Sequence, residues 1–272
     1  MNYFSPAEFT ANYMEAGVKK AKLNARSTLV LGILAGVVIA LGGAASSIVS
    51  CSVQNASVAR LLSGLIFPLG LGIVILSGAE LFTGNCLMLL SVWSKKITPF
   101  QLLRNWGIVY LANLLGSFVT AAAICFTAPQ FGDGAFALSA IKAAAAKCSL
   151  PFTQAVVLGI FCNFLVALAV LLSLSAKDNS GRILGAYLPV CFFVLCGFEH
   201  SVANMYCIPT GMMLSAMPQY HAAALAAGID IAALNPAGFL LGNLLPVTIG
   251  NILGGAFIAG IMWVAFRKKQ SS

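Results

Sequence analysis

Six apolar stretches, each long enough to cross a lipid bilayer, dominate this chain of 272 residues. They lie at about residues 28–50, 58–93, 102–127, 151–175, 183–208 and 236–266. About 20 helical residues cross the roughly 30 Å hydrocarbon core of a bilayer. Charged residues make up only 8% of the chain, too few to cover a water-facing surface of this size. The sequence therefore predicts an all-α polytopic membrane protein and argues against a soluble enzyme or a nucleic-acid-binding protein.

Lysine and arginine are distributed unevenly between the loops. The N-terminal tail, residues 94–104, residues 176–182 and the C-terminal tail hold twelve of them. The three loops on the other side hold only Arg60, Lys142 and Lys147. Because positively charged loops remain in the cytoplasm, we expect both termini on the cytoplasmic side of the cell membrane.

The whole chain reads as a single membrane domain with short flanking segments. Residues 1–27 begin with Ser5-Pro6-Ala7-Glu8, a capping box, and predict an amphipathic helix lying on the membrane surface. Residues 28–266 form the six-span core, and residues 267–272 are expected to be a cytoplasmic tail.

The two halves of the chain share three motifs in the same order. Residues 78–85 and 197–204 both read G-x-E-x-x-x-x-N, residues 105–116 and 243–254 share N-x7-N-x-L-G, and residues 31–33 and 158–160 are both Leu-Gly-Ile. Three spans per unit force the two units into opposite orientations. The sequence thus predicts two inverted three-helix repeats, whose substrate path lies near the bilayer midplane.

The second and fifth spans are expected to be interrupted. The second is too long for one straight helix and contains Gly64, Phe67-Pro68 and Gly70, and the fifth ends in the polar stretch 199–204 at membrane depth. Irregular backbone is tolerated at that depth only inside protein or along a cavity. These two segments are therefore the expected lining of the path.

Three ionisable residues lie within the spans, and such residues are functional candidates. Glu80 and Glu199 occupy equivalent positions, which favours a role as clamps that hold the broken helices, together with Asn85 and Asn251. His200 has no counterpart, because Leu81 stands at the equivalent position. Its imidazole can exchange a proton near neutral pH, although a core histidine bonded to the backbone is the alternative.

Other polar and apolar residues near the breaks allow two interpretations each. Thr83 and Asn204 can offer a hydroxyl and an amide to a small solute, or bond neighbouring helices. Lys147 can attract an anion, which Asn163 would then hold, or can simply anchor its helix at the interface. Apolar constrictions or ordinary core packing explain Phe67, Leu71, Leu81, Phe82 and Phe193. No spacing suggests a metal site or a cofactor.

Several of these segments resemble the formate/nitrite transporter family, which includes hydrosulfide channels. The matching positions are residues 67–71, 80–85, 199–205 and 246–251 together with Lys147 and Asn163. The resemblance implies a homopentamer in which each aquaporin-like protomer has its own pore. It also implies an outer slit of Phe67 and Phe193, an inner slit of Leu71, Phe82 and Val166, and Thr83 and His200 between them, with Lys147, Asn163, Glu199 and Asn204 around this centre.

The expected function is passive or proton-coupled transport of a small monovalent weak-acid anion: formate, nitrite or hydrosulfide. In this hypothesis Lys147 attracts the anion and His200 lends it a proton, so that a neutral acid crosses the apolar slit. The alternative is a channel for a neutral solute such as water or glycerol. Against it stands the single Asn235-Pro236-Ala237 motif, which lacks both a second copy and a following arginine.

Overall fold

The computed structural model of the protein describes residues 3–131 and 134–266, so the predicted tail at 267–272 lies outside the described residues. Six of the described helices are long and apolar enough to span a bilayer: Ala25–Ser50, Ala56–Ser77, Pro99–Gln130, Phe152–Ser175, Asn179–Cys196 and Gly238–Phe266. This confirms the predicted all-helical protein with six spans. The helices are α1 Pro6–Lys22, α2 Ala25–Ser50, α3 Ala56–Ser77, α4 Phe82–Trp93, α5 Pro99–Gln130, α6 Ala135–Cys148, α7 Phe152–Ser175, α8 Asn179–Cys196, α9 Ser201–Ser215, α10 Pro218–Ala226 and α11 Gly238–Phe266.

The second and fifth spans are interrupted at equivalent glycines. Gly78 ends α3 and Gly197 ends α8, and both have φ near 70°, a left-handed conformation that glycine adopts without a steric penalty. Short non-helical segments lead from there into α4 and α9. At Phe67 the backbone keeps helical angles, with φ of −54° and ψ of −40°. The prediction that the second span is interrupted is thus confirmed. One helical segment ends at Ile66 and the next begins at Pro68, inside the Gly64–Gly70 cluster, and a second, left-handed break lies further along at Gly78.

Each repeat carries a further helix ahead of its three spans. The first repeat starts with α1 and the second with α6, which occupies the segment predicted to be a loop before the fourth span. Within the repeats α2 packs along α5, and α7 packs along α11. A Cβ on Gly116 would lie 2.3 Å from Ile33 O, and a Cβ on Gly254 would lie 2.1 Å from Ile160 O. Glycine at these equivalent positions therefore lets the two helix backbones of each pair touch.

The N-terminal helix α1 packs against the helix bundle. Its start is the predicted capping box, in which the backbone N–H of Ser5 donates to Glu8 Oε2 at 2.7 Å and lowers the pKa of that carboxyl. Phe9 and Tyr13 are buried against the bundle. We call the face of the bundle that holds α1 the terminal face, and the face that holds α6 the opposite face.

Replacing Gly116 by alanine is expected to destabilise the protein, because the added methyl group would collide with the backbone of α2. A matched control is Gly107→Ala in the same helix, where an added Cβ meets nothing within 4 Å. Thermal unfolding of the purified protein in detergent measures the difference. We expect a lower midpoint for Gly116→Ala only, and equal midpoints would contradict the close approach of α2 and α5.

Candidate functional site

Glu80 lies at the first helix break and is bonded to side chains on three sides. It is 2% exposed. Its Oε1 accepts from Lys20 Nζ at 2.7 Å and its Oε2 from Asn85 Nδ2, also at 2.7 Å. Asn85 in turn donates to Asn105 Oδ1 at 2.8 Å. A buried carboxylate at membrane depth is thus held by a cation from α1 and by amides from α4 and α5.

The second helix break repeats this network residue by residue. Glu199 Oε1 accepts from Lys147 Nζ at 2.6 Å, and Glu199 Oε2 accepts from Asn204 Nδ2 at 2.6 Å. Asn204 also donates to Asn243 Oδ1 at 2.7 Å. The two glutamates therefore clamp the broken helices as the shared motif suggests, although they bind side chains and do not cap backbone N–H groups.

Two asparagines supply the caps that the glutamates do not. Asn113 Oδ1 accepts from the backbone N–H of Phe82 at 2.9 Å, while its amide donates to Gly32 O and Glu80 O at 2.8 and 2.9 Å. Asn251 makes the equivalent bonds at 2.9 Å to Ser201 N, Gly159 O and Glu199 O. Each asparagine thus joins the leading span, the break and the half-helix of its own repeat.

The two lysines mark opposite faces of the bundle. Lys20 projects from α1 on the terminal face, and Lys147 projects from α6 on the opposite face. Their side chains are 23% and 24% exposed, whereas their glutamate partners are nearly enclosed. Lys147 is therefore a partner of the second helix break, and its counterpart Lys20 at the first break was not predicted from the sequence.

His200 and Thr83 form a polar pair in otherwise apolar surroundings. His200 Nε2 lies 2.9 Å from Thr83 Oγ1, and both side chains are buried. The backbone N–H of Ala203 donates to His200 Nδ1 at 3.0 Å, so His200 caps α9. Since Nδ1 accepts this bond, the neutral ring carries its proton on Nε2 and donates it to the threonine hydroxyl. A histidine and a hydroxyl from opposite repeats thus meet at one point.

Apolar side chains enclose this pair. The Phe193 ring stacks on His200 with centroids 5.9 Å apart, and Phe67 meets Phe193 edge-on at 5.6 Å. All six residues considered as constrictions belong to one buried apolar cluster: Phe67, Leu71, Leu81, Phe82, Val166 and Phe193. The Phe82 ring packs edge-on against Trp106 and Tyr110, at centroid distances of 5.9 and 4.9 Å.

A cavity of about 200 Å³ opens from the terminal face toward this cluster. Leu71 and Leu81 line it, as do Tyr13 and Lys20. The Tyr13 hydroxyl donates to Gly84 O at 2.8 Å, so α1 forms part of the cavity wall. The cavity therefore leads from a lysine to two of the expected constriction residues.

Asn163 and Asn204 already use both hydrogens of their amides. Asn163 donates to Thr83 O at 3.2 Å and to Asn251 O at 2.6 Å. Asn204 donates to Glu199 and Asn243. Both residues therefore hold the scaffold that positions Thr83 and the second break, and neither has a free N–H for a solute in this conformation.

Four members of the site were not predicted from the sequence: Lys20, Asn105, Asn113 and Asn243. The signal was present, because the shared N-x7-N motif contains three of them. The motif indicated a repeat, but it did not show which helix break each asparagine bonds. Lys20 lies among several basic residues in the last turn of α1, and this pattern does not by itself indicate a buried partner.

Inverted repeats with broken helices and polar groups at the breaks define a polytopic membrane transport protein. The chain belongs to the formate/nitrite transporter family, since the profile described as "Formate/nitrite transporter" matches residues 7–265. This confirms the resemblance found from the motifs.

Similar proteins cover nearly the whole chain. The uncharacterized transporter YrhG of Bacillus subtilis (strain 168) is 37% identical over 100% of this chain and 97% of its own length. The formate channel FocA of Escherichia coli (strain K12) is 34% identical over 97% and 95%. A solved pentameric formate channel with formate bound superposes with a TM-score of 0.79, at 34% identity over 90% of this chain and 98% of that one. These relatives are channels or transporters, and the chain is likewise a transport protein and not an enzyme.

Removing the lysine that pairs with either buried glutamate is expected to cost about 3 kcal/mol of stability, because a carboxylate is left buried without its cation. The variants are Lys20→Gln and Lys147→Gln. Lys96→Gln is the control, since the Lys96–Glu15 pair is 40% and 60% exposed and water screens its attraction. Unfolding titrations in detergent compare the three. A loss for Lys96→Gln as large as for the other two would contradict the structural role of the buried pairs.

Proposed function

We propose that the chain transports a small monovalent weak-acid anion, chiefly formate, across the cell membrane. The anion takes up a proton in the pore and crosses as the neutral acid. Each protomer of a homopentamer would have its own pore, with both termini in the cytoplasm. The observation that carries this proposal is the single His200–Thr83 pair inside an apolar cluster, with a lysine on each face of the bundle. The relatives described as formate channels, one of them pentameric, support the substrate and the assembly.

The arrangement suits an anion that must lose its charge before it crosses. Moving a bare ion into an apolar slit carries a large desolvation penalty. Lys147 and Lys20 each bond a glutamate but retain ammonium hydrogens and partial exposure, and so attract an anion from either side. As the anion leaves water its basicity rises, since desolvation disfavours the charged form. It then takes up a proton, and the neutral acid crosses.

The hydrogen bonds of His200 favour a role as a hydrogen-bond donor over a role as a proton donor. To give up Nε2–H and remain neutral, the ring would first have to gain a proton on Nδ1, which breaks the bond from Ala203 N. We infer that His200 stays neutral and acts as a hydrogen-bond donor. It polarises the Thr83 hydroxyl, which then donates to an oxygen or sulfur atom of the permeating acid. The anion takes its proton from water at the pore entrance and not from the His200 imidazole.

The alternative of a water or glycerol channel gains no support from Asn235-Pro236-Ala237. Asn235 Oδ1 accepts from Gly238 N at 2.9 Å, and its amide donates to Ala232 O. The motif therefore starts α11 as an ordinary helix cap.

Fluxes of formate, nitrite, hydrosulfide and glycerol into liposomes test the proposed substrate class. We expect protein-dependent uptake of weak-acid anions, fastest for formate and faster at acidic than at neutral external pH. Protein-free liposomes of the same composition are the control, because neutral acids also cross lipid. Glycerol swelling without anion uptake would contradict the proposal and favour the neutral-solute channel.

The variant His200→Asn separates a neutral donor from a proton donor. Asparagine can accept from Ala203 N with Oδ1 and donate to Thr83 with Nδ2, but it cannot carry an extra proton. We expect His200→Asn to keep the rise of flux at acidic pH, whereas His200→Leu, which copies Leu81 of the other repeat, should lower flux at all pH values. A flattened pH profile in His200→Asn alone would instead favour proton donation by His200.

A further inference from the structure

A hydrogen bond between two side-chain hydroxyls joins the closing spans of the two repeats. Tyr110 on α5 and Thr248 on α11 lie 2.8 Å apart, oxygen to oxygen. They occupy equivalent positions, three residues before the capping asparagines Asn113 and Asn251. Among the described residues, α5 and α11 otherwise scarcely touch. The bond therefore lies where the pseudo-two-fold axis relates one repeat to the other.

The Tyr110 ring also reaches the site through Phe82. Its centroid is 4.9 Å from that of Phe82, which begins α4 and directly precedes Thr83. The same face of α5 carries Trp106, whose Nε1 donates to Asn85 O at 3.0 Å, and Asn113, which caps Phe82 N. One face of α5 thus contacts the first turn of α4 in three ways. It packs against the Phe82 ring, accepts from the Phe82 backbone N–H and donates to the Asn85 carbonyl.

The His200–Thr83 hydrogen bond joins the two repeats, so its length depends on the position of one repeat relative to the other. Asn163 holds the backbone of Thr83 from the side of α7. On the side of α5, Phe82 packs against Tyr110, and Tyr110 is hydrogen-bonded to Thr248 of the second repeat. Lengthening the 2.9 Å bond to His200 by well under 1 Å would take it out of hydrogen-bond range.

We propose that Tyr110 and Thr248 form a latch between the repeats that positions Thr83 against His200. Neither hydroxyl touches the permeating acid. Both are positioning residues. Their predicted effect on flux rests on the proposed transport function. Their effect on the His200 hydrogen bond does not depend on the identity of the solute.

Two readouts on the full-length protein test the latch. The first is the flux of formate as a function of pH in liposomes. The second is the ¹⁵N resonance of His200 Nε2 in protein labelled at histidine. The chain has two histidines, and the signal that remains in His200→Asn belongs to His221. The variants are Tyr110→Phe, Thr248→Val and their combination, with Thr248→Ser as the conservative replacement. Ser117→Ala is the matched control, because its hydroxyl bonds Gly36 O between α2 and α5 at 3.2 Å, away from Phe82.

We expect Tyr110→Phe and Thr248→Val each to move the Nε2 resonance and to lower flux about two- to tenfold, the range of one hydrogen bond. The double variant should be no worse than either single one, because both remove the same bond. Thr248→Ser and Ser117→Ala should match the unmodified protein in both readouts.

An unchanged Nε2 resonance in Tyr110→Phe and Thr248→Val would overturn the latch, as would additive losses in the double variant. Because Tyr110→Phe keeps the ring, it should fold and assemble even if the other variants do not. Failure of the unmodified protein to carry formate, nitrite or hydrosulfide would overturn the proposed function instead, and the resonance would still decide the latch.

Discussion

An interrupted helix inside a bilayer has backbone groups that no water can satisfy, and most of the site follows from this constraint. Gly78 and Gly197 end their helices in left-handed turns, and the freed N–H groups of Phe82 and Ser201 would otherwise lack partners. Asn113 and Asn251 provide those partners. The breaks can then bring polar side chains to the middle of the membrane without exposing backbone to lipid.

The scaffold is symmetric, whereas the proposed pore centre is not. Both repeats have the same lysine, glutamate and asparagine network around the break. At the centre, His200 faces Thr83, while the equivalent positions hold Leu81 and Val202. Equivalent lysines on the two faces suit a path that can be used in both directions. A single polar pair between apolar side chains suits a permeant that has one hydrogen-bonding group and no charge.

The sequence was sufficient for the elements that depend on local patterns. Hydropathy located four of the six spans to within a few residues and ran the other two, the second and fifth, on past their helix breaks. The shared motifs predicted the inverted repeats and the equivalence of Glu80 and Glu199. It failed where contacts join distant segments. The helix α6 is amphiphilic and too short to be a span, and the partnership of Lys20 with Glu80 depends on how α1 packs. The local pattern at Phe67-Pro68 predicted a helix boundary, and one lies there, between Ile66 and Pro68. The left-handed break at Gly78 was not predicted, because a glycine's φ angle is set by the tertiary fold.

Counting protons against anions tests the central claim most directly. Formate uptake and internal pH can be followed together in liposomes that contain the protein and an internal pH indicator, with the membrane voltage clamped at several values. Transport of the neutral acid predicts one proton released inside for each formate taken up, at a rate that does not change with voltage. Formate uptake that changes with voltage and leaves the internal pH constant would show that the bare anion crosses, and would contradict this account.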